Sequence, residues 1–138
     1  MADQADPASR VVLAAAEPQL FVSDIKAAFE FFTEKLGFGV EFSYGEPPFY
    51  GQVKRDRARL NLRHVATAVI DTEIRDRESL LSAAITVETA ADIQRLFHEF
   101  QARGVAFHQA LKRERWHAQN FIVRDPDGNL LLFAGPAD

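Results

Sequence analysis

The residues of this chain that are best suited to chemistry lie on predicted strands. Arg59, Asn61 and Arg63 occupy every second position of the segment 58–64, with leucines between them. Strand side chains alternate between two faces, so the three polar residues share one face and the leucines pack under helices. Two guanidinium groups on one face can grip a carboxylate or phosphate by paired hydrogen bonds. The alternative is a solvated edge, where both arginines contact only water.

The register of this strand decides between the two faces. A shift of one residue would send Arg59 and Arg63 to the helix side. Two buried charges are costly there, which favours the register with both arginines on the open face. Glu17, from the first strand, is then expected to pair with an arginine or to meet a cationic part of a ligand.

A second wall of small and apolar side chains is expected from the second half of the chain. Ser82, Ala84 and Thr86 alternate on one predicted strand and leave room above it. Leu130 and Leu132 make the inner side of the closing strand apolar. A roomy, mostly apolar cavity with a few polar groups is typical of a small-molecule site.

Composition excludes several functional classes. The chain contains no cysteine, which rules out disulfides, thiolate metal sites and a cysteine nucleophile and suits a cytoplasmic location. The net charge of −4, with no basic stripe, argues against nucleic-acid binding. The apolar run 11–16 is too short to span a membrane. Ser82 and His117 lack the glycine-rich elbow of a serine hydrolase.

Local patterns predict the same order of elements twice. In the first half a strand leads to a helix capped by Ser23 or Asp24 and ended by Gly37, and three strands follow. In the second half Thr89 caps a helix that Gly104 ends. The predicted strands are 18–22, 38–44, 49–54, 58–64, 81–87, 120–124 and 130–133, with a further strand beginning at 105.

This internal repeat predicts the organisation of the chain, because each copy alone leaves one sheet face uncovered. We predict one α+β domain of two tandem βαβββ modules, forming a curved mixed sheet around a cleft with helices on the outer face. Residues 1–16 are an N-terminal tail, 17–64 the first module, 65–80 a connecting loop of mixed charge, and 81–138 the second module.

The motifs at the two ends of this pattern resemble a known family. Phe21-Val22-Ser23-Asp24 leads into a helix that ends at Leu36-Gly37-Phe38, and Trp116 precedes the hairpin with Asp125-Pro126-Asp127-Gly128-Asn129. Together they resemble the glyoxalase, bleomycin-resistance and extradiol-dioxygenase superfamily, which has the vicinal oxygen chelate fold. The likeness covers nearly everything from Pro18 to Gly135.

The resemblance implies four strand positions that hold a metal in metal-using members. In this chain they are Glu17, Asn61, Ser82 and Leu132. Glu17 is the one ordinary ligand for a divalent ion among them, and Leu132 cannot bind a metal. We therefore predict no metal and no cofactor.

Without a metal, the pattern is similar to that of bleomycin-resistance proteins, dimers that bind a drug in a groove between subunits. Trp116 matches the tryptophan that lines that groove, although His117 follows it where glycine is usual. We predict a homodimeric binding protein that sequesters a bulky, partly aromatic small molecule, as in antibiotic resistance. The predicted ligand-binding residues are Glu17, Arg59, Asn61, Arg63, Ser82, Trp116 and Leu132, and the two arginines favour an anionic ligand.

Two other functions fit the same sequence. The first is a lyase, isomerase or dioxygenase-like enzyme that uses Glu17 as a base or metal ligand. The second is a module whose groove takes a peptide or another domain. Phe38, Phe42 and Phe49 could line the groove, but phenylalanines at strand spacing are more often core residues, and we predict the core for them.

Overall fold

The computed structural model describes residues 9–138, in which eight strands and three helices form two similar halves. The helices are α1 (Ile25–Glu30, continued by a π-helical stretch Phe31–Lys35), α2 (Thr72–Glu78) and α3 (Ala90–Ala102). The strands are β1 (Gln19–Val22), β2 (Gly39–Tyr44), β3 (Tyr50–Arg55), β4 (Ala58–His64), β5 (Ala83–Thr86), β6 (Phe107–Arg113), β7 (Ala118–Arg124) and β8 (Leu130–Pro136).

Each half has its own four-stranded sheet. The strand order is β1-β4-β3-β2 in the first sheet and β5-β8-β7-β6 in the second. The strand before each helix pairs in parallel with the last strand of its half, and the remaining pairs are antiparallel. This arrangement confirms the predicted α+β fold of two tandem βαβββ modules.

The start of the chain contributes little regular structure. Residues 1–8 of the predicted tail 1–16 lie outside the described residues. Residues 11–16 form neither helix nor strand, and the side chains of Val11, Val12 and Leu13 are 81–91% exposed. Among residues 9–138 no helix has the length and apolar character needed to cross a membrane.

The first-module helix follows its sequence signals. Asp24 is the N-cap, and its Oδ1 accepts a hydrogen bond from the backbone N–H of Ala27 at 3.2 Å. Ile25, Ala28 and Phe32 form a buried stripe against the first sheet. Gly37 ends the element with φ +73°, a conformation that glycine adopts without steric cost.

The second-module helix follows the same rules with a larger aromatic core. Thr89 caps α3 through its hydroxyl oxygen, which accepts from the N–H of Asp92 at 3.0 Å. Phe100 of the helix packs edge-on against Phe121 and Phe133 of the second sheet, with ring centroids 5.8 Å and 5.2 Å apart. Such pairs contribute beyond the area that they bury.

The segment 65–80 corrects the sequence interpretation, because it contains α2 where a loop was predicted. Asp71 caps this helix by accepting from the backbone N–H groups of Glu73 and Ile74. The helix buries a charged residue, Arg75, which is 5% exposed. A seven-residue helix of mixed charge shows no apolar period, so its position depends on contacts with distant residues that the sequence pattern does not contain.

The register of β4 is confirmed. Leu60 and Leu62 are 1% and 0% exposed and belong to the core, whereas Arg59 and Asn61 are half-buried and Arg63 is exposed. The leucines therefore lie on the face that carries the helices. We call the opposite face of each sheet the cleft face.

Candidate functional site

Cross-strand pairing defines the cleft face of the first sheet, because directly paired residues point to the same side. Asn61 pairs with Gln19 and with Gln52, and Arg63 pairs with Phe21 and with Tyr50. Phe42 and Tyr44 of β2 extend these two rows, and Arg59 pairs with Lys54. The predicted polar residues of β4 thus share a face with several aromatic side chains.

Three of these aromatic side chains form a continuous wall, which we call the aromatic wall. The ring of Phe42 lies 5.3 Å from that of Tyr44 and 5.9 Å from that of Tyr50, between centroids. Tyr44 is 60% exposed, and the other two are half-buried. Rings exposed in this way on a sheet can stack on a flat ligand.

Only one of the three phenylalanines that were predicted to be core residues lies in the core. Phe38 is a core residue with 5% exposure, as predicted. The prediction is wrong for Phe42, which lies on the cleft face, and for Phe49, which is 57% exposed just before β3. Tyr44 and Tyr50 were missed, although strand alternation from Phe42 would have placed Tyr44 on the same face.

A polar network occupies the middle of the same face. The side-chain amide of Gln52, which is 6% exposed, donates to Asn61 Oδ1 at 2.9 Å and to Glu17 Oε1 at 3.2 Å. The predicted pairing of Glu17 with an arginine is therefore wrong in the chain by itself, since its partner is an amide. The network orients Asn61 and Glu17, and sequence reasoning did not identify Gln52.

The two arginines keep their charges available. In residues 9–138 neither Arg59 nor Arg63 forms an ion pair. Arg63 is exposed next to Tyr50, and Arg59 borders a cavity of about 380 Å³ where the two sheets meet. Ala84 and Thr86 of β5 line the other side of that cavity, so predicted residues of both modules come together there.

The cleft face of the second sheet is aliphatic and amide-rich. Ile122 and Leu130 are buried, and Leu132 is half-buried beside Ala84 and Ile122 in one cross-strand row. Asn120 Oδ1 accepts from Gln109 Nε2 at 2.8 Å. This wall contains no aromatic ring among these residues and differs in chemistry from the first.

Helix α2 covers one end of this second face. Arg124 Nη1 lies 2.8 Å from Asp76 Oδ1 of the helix, and its Nη2 lies 2.9 Å from His108 Nδ1. The other ring nitrogen of His108 lies 3.1 Å from the hydroxyl of Ser79. These polar contacts join α2 to β6 and β7 and limit the cleft at that end.

The β7–β8 turn is a buried junction, and it engages Ser82. The Ser82 hydroxyl donates to Asn129 Oδ1 at 3.1 Å, and Arg75 Nη1 donates to the same oxygen at 3.0 Å. Asn129 Nδ2 donates to the backbone carbonyl of Phe21 at 3.1 Å, which links the turn to the first module. Ser82 therefore contacts the turn, whereas the sequence predicted that it lines the cleft.

Asp125, the first residue of this turn, has a raised pKa. Asp125 is 4% exposed, and its carboxylate accepts from the backbone N–H groups of Asp127 and Asn129 and from the Asn129 amide. Burial raises the pKa of Asp125 to about 6, because the loss of solvation outweighs these hydrogen bonds.

Trp116 lies at the tip of the β6–β7 hairpin and is 67% exposed. His117 beside it adopts φ +61°, in the left-handed region. The position is open to a ligand or to a second copy of the chain, and the role of Trp116 as a ligand platform stays a prediction.

The four positions that the resemblance implies for a metal do not form a suitable donor set. Glu17 and Ser82 lie just before β1 and β5, not on the strands as predicted. Glu17 and Asn61 meet through Gln52, Ser82 contacts Asn129, and Leu132 offers no donor atom. Within residues 9–138 no three His, Cys, Asp or Glu side chains lie close enough together to hold a metal ion. One carboxylate with an amide is a poor site for Zn²⁺ or for a redox metal.

Comparison of the sequence with models of protein families identifies the family of this chain. Residues 12–133 match the model of the Glyoxalase/Bleomycin resistance protein/Dioxygenase superfamily. The chain belongs to this superfamily. A comparison with curated protein sequences gives no match.

Several solved structures have a similar fold. A glyoxalase/bleomycin resistance protein/dioxygenase from Alicyclobacillus acidocaldarius is 22% identical, with a TM-score of 0.73 over 89% of this chain and 91% of its own. A bleomycin-binding protein from Streptomyces verticillus, complexed with copper(II)-bleomycin, is 24% identical, with a TM-score of 0.67 over 94% and 99%. A lactoylglutathione lyase from Agrobacterium tumefaciens is 17% identical, with a TM-score of 0.66 over 94% and 96%. At these identities the likeness shows the fold alone.

Proposed function

We propose that this protein binds a bulky, partly aromatic small molecule that carries an anionic group, and sequesters it in the cleft without chemical change. The observation that carries the proposal is the aromatic wall beside Arg59 and Arg63. Rings supply stacking surface, and guanidinium groups supply paired hydrogen bonds to a carboxylate or phosphate. A ligand with an aromatic body and an anionic group would contact the aromatic wall and the two arginines at the same time.

The opposite wall supports the same ligand class. Leu132 and Ile122 offer apolar surface, and the hydrogen-bonded pair of Gln109 and Asn120 offers a fixed polar edge. An apolar cleft with few polar groups is the usual design of a small-molecule site. Sequestration of a toxic compound would give antibiotic resistance, and two of the similar structures are bleomycin-binding proteins with bleomycin bound.

Binding without a metal ion fits the side chains at the four positions that hold a metal in metal-using members. The four positions supply one carboxylate, one amide, one hydroxyl and one leucine, which is a poor donor set for a catalytic metal. The alternative is an enzyme like the similar lactoylglutathione lyase, with Glu17 as base or metal ligand. Elemental analysis after purification separates the two: about one Zn, Ni, Mn or Fe per chain, lost in Glu17→Ala, would favour the enzyme.

We further infer that the binding unit is a homodimer. Trp116, Tyr44 and the segment 11–13 expose large apolar side chains on a chain of 15.5 kDa. Pairing two copies would cover such surfaces and close the open side of each cleft. Light scattering at micromolar concentration should give twice the mass of the chain, and the mass of a single chain would contradict the dimer.

The decisive test is calorimetric titration of Arg63→Ala with aromatic carboxylates. A charge-assisted pair contributes about 1.5–3 kcal/mol, so the variant should bind roughly ten- to hundredfold more weakly. Arg63→Lys should recover only part of this, because an ammonium cannot form the paired contact. Arg95→Ala, an exposed arginine of α3, is the matched control and should leave affinity unchanged.

The fluorescence of Trp116 adds a second readout. It is the only tryptophan, so a ligand that stacks on it should quench or shift the emission. Binding seen by calorimetry with no change in emission would place Trp116 outside the groove. Tight binding of cationic bleomycin that is unaffected by Arg63→Ala would contradict the preference for anions.

A further inference from the structure

A second cavity lies between the modules, on the side of the sheets that carries the helices. Its volume is about 350 Å³, at the lower end of the range for small-molecule sites. Ile85, Val87 and Leu96 form its accessible walls, and Phe38, Phe100 and Phe133 form its floor. These apolar residues lie on the core face, opposite the aromatic wall. Arg57, Ala58, Ile85 and Thr86 line both this cavity and the cavity beside Arg59, so the two cavities are neighbours.

The mouth of this cavity, which we call the seam cavity, is acidic. Asp56, Glu88 and Asp92 line it together with two arginines, and both arginines are engaged. Arg55 forms a bidentate pair with Glu99, at 2.8 Å and 3.1 Å, and Arg57 lies 3.2 Å from Glu88. In residues 9–138 neither Asp56 nor Asp92 forms an ion pair.

One of these free carboxylates is placed directly above the apolar wall. Asp92 and Leu96 are four residues apart on α3 and therefore lie on the same side of the helix. Asp92 is half-buried, which makes its attraction for a cation stronger than that of a fully exposed acid. A ligand that satisfies both residues needs a cationic head and an apolar body.

The other carboxylate, Asp56, lies in a tight turn at positive φ and also attracts the neighbouring Arg55 electrostatically. Asp56 adopts φ +53° in the two-residue turn between β3 and β4, a position at which glycine is the usual residue. Aspartate is one of the few residues with a side chain that adopt this conformation readily, so the turn accommodates a carboxylate at this position. The aspartate places a negative charge at the mouth of the cavity that glycine would not supply.

We propose that the seam cavity is a second binding site, for a small organic ammonium ion with an aromatic or aliphatic body. The ammonium would lie near Asp92 and Asp56, and the body would pack on Leu96, Ile85 and Val87. The exposed pair of Arg57 and Glu88 joins the two modules beside the mouth and can open at little cost, because exposed ion pairs contribute little to stability. This site would bind a cationic ligand, whereas the site proposed for the cleft would bind an anionic one.

The test compares two probes of similar shape and opposite charge, 2-phenylethylamine and 3-phenylpropionate, by calorimetry and by NMR shift mapping on the full chain. The amine should shift the amides around Leu96 and Val87, and Asp92→Asn should weaken its binding by roughly tenfold. Glu30→Gln, an exposed acid of α1, is the matched control and should have no effect. Leu96→Phe, which fills the cavity, should also weaken the amine, and circular dichroism would show that both variants fold.

Cleft variants separate this site from the first one. Arg63→Ala should leave amine binding unchanged while it weakens the carboxylate. Amine binding that is lost in Tyr50→Ala but kept in Asp92→Asn would place the amine in the cleft and overturn the proposal. The absence of amine binding at millimolar concentration would overturn it too, and either result leaves the proposed anion site of the cleft untouched.

Discussion

The turn that joins the last two strands of each module is exposed in the first module and buried in the second. In the first module two residues, Asp56 and Arg57, join β3 to β4, and both are exposed. In the second module the turn 125–129 joins β7 to β8, and its first and last residues are 4% exposed. The two modules have the same order of strands and helix, yet one has an exposed turn at this position and the other a buried turn.

The difference shows which of the two turns is tied to distant parts of the chain by buried contacts. The buried turn contacts β1 through Asn129 and α2 through Arg75. It contacts the segment between β1 and α1 through the Asp127 carboxylate, which accepts from the backbone N–H of Ser23 at 2.9 Å. The exposed turn makes no comparable side-chain network and is free to carry charge at the seam cavity. Stability should therefore depend on the second turn, and ligand preference on the first.

The largest expected effect comes from Asn129→Ala. The substitution removes partners of the buried Arg75 and of the Phe21 carbonyl, and buried groups left without partners are costly. We expect the free energy of unfolding in urea to fall by about 3 kcal/mol. Asp56→Ala in the exposed turn should change it by less than about 1 kcal/mol. Equal losses in the two variants would refute the contrast between the turns.

The next effect is a pH dependence that arises in the buried turn. The folded pKa of Asp125, about 6, lies above its unfolded value, so the folded state binds the proton more tightly. Its contribution to stability is complete below about pH 4 and is lost as the pH rises through about 6, by up to roughly 3 kcal/mol. Urea titrations across this range should show the loss, and Asp125→Asn should remove it while Asp56→Asn should not.

Sequence pattern predicted the fold well because the fold depends on local signals. Asp24 and Thr89 as caps, Gly37 and Gly104 as stops, and the alternation around Arg59 are each contained within a few residues. Helix α2 was missed because what holds it, Arg75 to Asn129 and Asp76 to Arg124, connects residues about 50 positions apart.

The candidate site was predicted only in part for the same reason. Alternation on one strand correctly placed Arg59, Asn61 and Arg63 on the cleft face. The aromatic wall and Gln52 required the pairing register of three strands, which one strand pattern does not reveal. Ser82 was assigned to the cleft because its hydrogen bond to the β7–β8 turn is a long-range contact.

A moderate effect is expected at Gly51 of β3, on the helix face of the first sheet. A Cβ at this position would collide with the ring of Phe29 from α1 and lie 3.0 Å from the Phe42 carbonyl oxygen. Gly51→Ala should lower the free energy of unfolding by about 2 kcal/mol through overpacking. Adding Phe29→Leu should recover part of the loss in a double-mutant cycle, whereas simple additivity would show that the two residues do not interact.

The smallest effect tests how the exposed turn is anchored. Arg55, directly before it, donates to the Leu36 carbonyl at 2.8 Å and to both oxygens of Glu99 on α3, so this one guanidinium joins the modules. The hydrogen bonds from Arg55 hold the pKa of Glu99 below its usual value. Both side chains are about one-third exposed, and solvent screens the pair, so Glu99→Gln should cost only about 1 kcal/mol.

The pH dependence of this ion pair has the opposite sign to that of the buried turn. Because the folded pKa of Glu99 is depressed, its contribution is present above the unfolded pKa and is lost as the pH falls through the folded value. High salt should weaken the contribution of Glu99, whereas it should leave the loss in Asn129→Ala nearly unchanged, since buried groups are screened far less. A salt-independent effect of Glu99→Gln would mean that the first module is also held by a buried contact, and the contrast between the two turns would then be one of degree.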